Sequence, residues 1–307
     1  MIANSKSKDD YEITVLVCSY NPRINALFFT LDSVINQKNI NLEIIITDDG
    51  SKNSLALEIE DYFKRNNFSN WKMVCNKRNK GTVHNLYSGL LVSSGKYIKI
   101  ISPGDALYGD NTLRKWLDFT ISNNYSWTFS DALYYYGDIT NMTIVSVDAH
   151  PNNIRPYVKK DKKSCIWNYV VWDDIATGAT MLCKKDIQIF YTKKLLDKVI
   201  YAEDNMWRLM MFDGIVGGYY PKNTMFYEYG TGISTRGSTI WDRRILDDWN
   251  AATKIMLDKK ELTDLQKKII KALKLKVGGI FQRVRVDGYI SRKFNKYKRR
   301  KTNNSLE

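Results

Sequence analysis

The segment from Ile13 to Ser51 constrains the fold more than any other part of the chain. Two apolar runs, ITVLVC from Ile13 and LEIIIT from Leu42, each stop at polar residues. The first runs into Ser19-Tyr20-Asn21-Pro22 and the second into Asp48-Asp49-Gly50-Ser51. Between them Leu27, Leu31, Val34 and Ile35 recur at helical spacing. Two short strands joined through an amphipathic helix make a β-α-β unit. In an open parallel sheet, ligands bind beyond the carboxyl ends of the strands. The polar stops therefore mark a ligand edge as well as a fold.

The same alternation continues. Leu55, Ile59, Tyr62 and Phe63 predict a second helix, with Ser51 or Ser54 as its cap. WKMVC from Trp71 reads as a third strand, broken at Asn79-Lys80-Gly81, and Val83, Leu86 and Leu90 mark a third helix. Gly95 opens a fourth strand, KYIKII, which ends at Ser102-Pro103-Gly104-Asp105. Strands alternating with helices over about a hundred residues predict a mostly parallel, Rossmann-like α/β sheet with helices on both faces. Beyond Leu113 the pattern loosens. A helix LRKWLDFTI precedes an aromatic strand SWTFSDALYYYG, and His150 to Lys163 reads as a loop over a site. Ile175 to Cys183 reads as a strand, Trp207, Leu209 and Met210 as a helix, and a Gly- and Tyr-rich stretch runs on to Arg236.

Length permits one large domain or two modest ones. Cys18, Cys75, Cys165 and Cys183 form no CxxC pair and are expected as small buried hydrophobes in a reducing compartment. The opening MIANSKSKDDYE has no apolar core, so no secretory leader is expected. No apolar run approaches the roughly 18 residues that span a bilayer. A cytoplasmic protein, or one held peripherally on the inner face of the cell membrane, is the expectation. The formal charge is +14. From Lys254 to Lys301 there are 17 Lys and Arg against four acids, so nearly all of it belongs to a C-terminal tail.

The motif order is S-Y-N-P after strand one, D-D-G-S after strand two, N-K-G before helix three and G-K-Y-I-K-I-I-S-P-G-D at strand four. It resembles the family 2 glycosyltransferases of the GT-A fold, well over residues 13–110 and weakly to 235. The resemblance implies a nucleotide-sugar donor, most simply a UDP-sugar. Tyr20 and Asn21 at the first strand end, and Asp49 with Asp48 close by at the second, would meet the base and ribose. The plain alternative is that Asp48 and Asp49 cap a turn and the next helix. His84 lies where the family often carries an arginine near the nucleotide, and a packing role is the alternative.

Family members neutralise the leaving diphosphate with a divalent cation held at the end of strand four. The acid-rich D-x-D pattern is replaced here by Ser102-Pro103-Gly104-Asp105. The resemblance leaves Asp105 as ligand to Mn2+ or Mg2+ and Ser102 for the sugar or ribose. Inversion at the anomeric carbon needs a base for the acceptor hydroxyl. The family's E-D motif falls on Glu203-Asp204, which makes Asp204 the base and Glu203 its partner or substitute. Adjacent carboxylates repel, which raises the pKa of one of them. Gly178-Ala179-Thr180 resembles the acceptor-side strand. Tyr229 to Arg236 resembles a glycine-bearing loop that closes on the diphosphate, with Arg236 favouring an anion.

In the tail, Ile269, Ile270, Leu273, Val277, Phe281 and Val284 keep helical spacing, with Gly278-Gly279 as a break. A hairpin packed on the body, and a basic face on an anionic membrane surface, are the two readings with physical support. Nucleic-acid binding lacks a recognised module. The expected organisation is a donor half (1–110), an acceptor and catalytic half (111–236) and a helical basic extension (237–307). The implied activity is transfer of a hexose or hexosamine to a saccharide acceptor, polyprenyl-diphosphate-linked, for a bacterial surface polysaccharide. A sugar nucleotidyltransferase and a non-catalytic nucleotide-sugar or nucleic-acid-binding protein remain as alternatives.

Overall fold

The computed structural model describes residues 11–137, 140–147, 151–172, 175–233, 238–260 and 262–274. Its first half follows the alternation in the sequence. Strands β1 (Ile13–Ser19), β2 (Leu42–Asp48), β3 (Trp71–Cys75) and β4 (Tyr97–Ile101) are parallel, in the order β3-β2-β1-β4. Ser19 lies opposite Asp48 and Val17 opposite Ile101, so the strands end together at one edge.

The two-residue period of each strand sorts its side chains between two cores. Ile13, Val15 and Val17 face one layer, where Leu27, Leu31 and Val34 of α1 (Ile24–Ile35) and Ile59 and Phe63 of α2 (Ala56–Arg65) cover them. Leu16 and Ile45 face the other, under Val83, Leu86 and Leu90 of α3 (Thr82–Val92). Both faces are therefore dry, which is why the strand sequences are almost continuously apolar.

The second half extends the same sheet. Short β5 (Ala106–Leu107), then α4 (Thr112–Ser122), β6 (Trp127–Tyr136), β7 (Thr143–Val145), β8 (Met181–Lys184) and β9 (Gly218–Glu228) continue it as β4-β8-β6-β9-β5, with β7 on β6. Here antiparallel pairs (β4 with β8, β6 with β8, β5 with β9) alternate with the parallel β6–β9 pair.

Several expectations need correction. Within the expected loop at His150 to Lys163, α5 (Arg155–Val158) and the start of α6 (Lys162–Trp172) are helical, and His150 lies outside the described residues. Cys165, Ile166 and Tyr169 bury one side of α6, and Pro156 suits the first turn of α5, where its missing N–H costs nothing. Of Ile175 to Cys183 only the end is strand, because Gly178–Thr180 form a 3-10 turn. The Gly- and Tyr-rich stretch contains β9, whose pairing with β6 shifts register near Asp131. Cys75, at the end of the outer strand β3, is exposed.

Helix α7 (Lys185–Leu195), α8 (Asn205–Phe212) and α9 (Thr239–Leu257) complete the second layer. Helix α10 (Asp264–Lys274) packs against α6 and α9, with Ile270 fully buried and Lys268 and Lys271 exposed. The start of the tail thus behaves as the packed hairpin, and Val277, Phe281 and Val284 lie outside the described residues. Among the described residues no helix is long and apolar enough to cross a membrane.

Candidate active site

The carboxyl edge of β1, β2 and β4 gathers most of the residues expected there. Tyr20 is 48% exposed, its ring free at the end of β1. Asn21 takes positive φ (+45°) and ties the two strand-end turns together. Its N–H donates to Ser51 Oγ at 2.7 Å, and its side-chain oxygen accepts Lys52 N–H at 2.9 Å. Asp48 accepts from Ser51 N–H and Ser51 Oγ, and Gly50 supplies the positive φ (+72°) of that turn.

Asp49 is built into the structure more deeply. It is 3% exposed, and its carboxylate accepts Gly81 N–H at 2.7 Å, Lys80 N–H at 3.1 Å and the Asn76 amide at 3.0 Å. A carboxylate offers about four lone-pair sites, so this one is filled by the loop before α3. Asp49 therefore positions that loop.

His84 departs from its expected place. Its Nε2 lies 3.2 Å from Asp197 Oδ1, on the side of α3 that meets α7. The next residue, Asn85, is 3% exposed and donates to Ser19 O at 3.1 Å. One residue is about 100° of helix rotation, so Asn85, and not His84, is turned to the strand ends.

The acid pair is brought to this edge by a second set of bonds. Glu203 and Asp204 precede α8. Both lie over Gly178, where a Cβ would stand 3.4 Å from Asp204 Cβ and 3.5 Å from Glu203 Oε1. Burial raises the Glu203 carboxyl to about 8, with the charges of Asp204 and Asp248 adding to it. Asp204 keeps 31% of its side chain exposed and lies 3.5 Å from Arg208. Cys18, near the end of β1, feels both Glu203 and Asp49, and burial pushes its thiol up to about 12. Glu203 and Asp49 therefore both lie near the end of β1.

Asp248 of α9 holds the loop that carries the pair. It is 4% exposed and accepts Ile200 N–H at 2.9 Å, Tyr201 N–H at 2.6 Å and Ala202 N–H at 2.9 Å. Ile200 O in turn accepts Val83 N–H at 3.0 Å. An unbroken set of bonds runs from Asp49 through the start of α3 to the acids.

Residues 14–190, more than half of the chain, match the family model described as glycosyl transferase family 2. The chain belongs to that family. This family 2 glycosyltransferase is 30% identical over 113 residues to a dolichyl-phosphate beta-glucosyltransferase of Dictyostelium discoideum, a match covering 34% of this chain and 35% of that protein. It thus spans about a third of that curated relative's length. Its fold is that of S. aureus TarS 1-349 in complex with UDP-GlcNAc (TM-score 0.58, 15% identity, 90% of this chain and 77% of that one). It is also that of the mannosyltransferase PcManGT from Pyrobaculum calidifontis in complex with GDP-Man and Mn2+ (TM-score 0.58, 13% identity, 86% and 69%). These likenesses establish the GT-A fold.

The turn after β4 is the place where a metal ligand was expected. Ser102 is exposed. Asp105 is 4% exposed and accepts Glu228 N–H at 3.0 Å, and burial raises its carboxyl to about 7. Beneath it Lys99 is fully buried against Trp116, and burial lowers its ammonium to about 7. Mg2+ and Mn2+ want several oxygen ligands arranged around them. Among the described residues no group of three or more His, Cys, Asp or Glu could hold a metal. The carboxylate expected to hold Mn2+ or Mg2+ is thus buried and braces β9 through Oδ1, one of its two oxygens.

Arg236 lies outside the described residues. Lys99, Asp248, Arg23 and Glu228 were missed from the sequence. Lys99 alone carried a signal, a lysine inside the apolar run KYIKII.

Proposed function

We propose that the enzyme transfers a hexose or hexosamine from a nucleotide diphosphate sugar, UDP-linked, to a saccharide acceptor with inversion. What carries this reading is the convergence of Glu203 and Asp204 over Gly178 at the edge that presents Tyr20, Asp48 and Ser102. The base would lie on Tyr20, with Asp48 and Asn21 toward the ribose and Ser102 toward the sugar. Asp204, open to the cleft, takes the acceptor hydroxyl proton as that oxygen bonds the anomeric carbon and the nucleoside diphosphate departs. Glu203, held protonated near neutral pH, spares the pair a second charge and stays beside the acceptor as a hydrogen-bond donor.

In this reading residues 1–110 bind donor, 111–236 complete the acceptor and catalytic side, and 237–307 form the basic extension. A lipid-linked oligosaccharide acceptor of a bacterial surface polysaccharide, met at the inner face of the membrane, is supported by the basic tail and by the dolichyl-phosphate relative. The test is thermal shift with UDP-, dTDP- and GDP-sugars, followed by nucleotide release in wild type and Asp204→Asn. Binding of a UDP-sugar, with release lost in Asp204→Asn, is the expected result. Release that persists in that variant refutes the mechanism. Deleting residues 275–307 is expected to abolish sedimentation with anionic liposomes; unchanged sedimentation refutes the membrane role.

A further inference from the structure

The turn after β4 lacks an acid at position 104, yet a carboxylate occupies that place. Gly104 has φ of +104°, and a Cβ built on it would overlap Oε2 of Glu228. Glu228 comes from the end of β9, more than 120 residues away in sequence, and is 6% exposed. Its backbone N–H is anchored by Asp105 at 3.0 Å, and the Tyr135 hydroxyl donates to Gly104 O, so turn and strand end are locked together. The other oxygen, Oε1, pairs with Arg23. Arg23 stands at the start of α1, one residue past the polar stop of β1, and 58% of its side chain remains exposed.

A guanidinium has five N–H donors. Among the described residues Arg23 pairs with Glu228 through one terminal nitrogen, and its exposed side chain leaves other donors open to solvent. A buried carboxylate thus holds an exposed cation beside the turn where family members place an acid-bound metal. Arginine matches a phosphate with two parallel hydrogen bonds, which a guanidinium does without losing its charge.

We propose that Arg23, held by Glu228, binds the donor diphosphate and takes the neutralising place of a carboxylate-bound divalent cation. This rests on the nucleotide-sugar reading above. The observation behind it is geometric: glycine at 104 admits the Glu228 carboxylate, and that carboxylate carries a guanidinium beside Asp105, the acid expected to hold an ion.

The test is calorimetric titration of the full chain with UDP and with inorganic pyrophosphate, in EDTA and in MnCl2. Wild type is compared with Arg23→Gln and Arg23→Lys, with melting temperature as the folding control. Wild type is expected to bind UDP in EDTA. Arg23→Gln should bind about ten- to a hundredfold more weakly, the worth of a charge-assisted hydrogen bond. Arg23→Lys should recover part of the loss, since it keeps the charge and loses the fork. Wild-type UDP binding that requires Mn2+ overturns the inference and leaves the donor reading standing. So does equal affinity in a folded Arg23→Gln. Failure of wild type to bind UDP in either buffer overturns the donor reading and this inference with it.

Discussion

Asp248→Ala should separate the two halves of the site. Asp248 accepts three backbone N–H groups, from Ile200, Tyr201 and Ala202, at 2.9, 2.6 and 2.9 Å. Hydrogen bonds to a charged acceptor are worth about 1.5–3 kcal/mol each, and they do not add fully. Alanine leaves three backbone donors without their acceptor, one buried and two part-buried, so a loss of about 3 kcal/mol is expected. For a chain of this size that lowers the melting temperature by roughly 5 °C, read by thermal denaturation. Asp248→Asn keeps the shape and one acceptor oxygen, and should lose about half as much.

The kinetic consequence follows from the bond between Ile200 O and Val83 N–H. Once the loop relaxes, Glu203 and Asp204 shift relative to the donor edge. A misplacement of about 1 Å costs on the order of a hundredfold in turnover. The pH profile isolates the charge. Burial is the main reason that Glu203 stays protonated to about 8, and the Asp248 charge contributes. Asp248→Asn should therefore move the alkaline limb of donor turnover to lower pH. A variant Asp248→Ala that melts within about 2 °C of wild type, with unchanged turnover, refutes the clamp.

Glu203→Gln should stabilise the protein increasingly as pH rises. The folded carboxyl titrates near 8, against 4.5 for its ordinary value. Between those values the folded state holds a proton that the unfolded chain has released, so wild-type stability falls with rising pH across that window. Melting temperatures of the two proteins that run parallel from about pH 4 to about pH 9 refute it. Gly178→Val places a branched side chain between the two acids and should abolish turnover while UDP still binds, as titration and nucleotide release together will tell. Tyr20→Ala removes an exposed ring that packs on little of the fold. It should leave melting unchanged and weaken UDP by about tenfold or more, the worth of one stacked base; equal affinity refutes the stacking.

The first half of the fold was legible because local pattern and tertiary environment agree there. Apolar runs such as Ile44–Ile46 are buried on both sides, and Leu27, Leu31 and Val34 cover one of those sides. The second half was less legible because its elements are set by partners distant in sequence. Strand β9 carries Lys222 and Asn223 and is strand because β6 pairs with it across a register shift. Helix α6 has little amphipathic pattern of its own and is held by α5, α8 and α10.

The sequence by itself determined the β-α-β alternation, the edge at which ligands bind and the residue types at each strand end. These depend on period and punctuation, which are local. Tertiary structure decided which polar groups face a ligand and which face the protein. Asp48 and Asp49 are neighbours, yet one closes its own turn and the other fastens the loop before α3. Asp105 reads from the sequence as an acid of the strand-four turn alone, and in the fold its Oδ1 also braces β9. Arg23 reads as an ordinary surface residue until Glu228 arrives beside Gly104. A carboxylate's role depends on what donates to it, and here the donors come from strands and helices far along the chain.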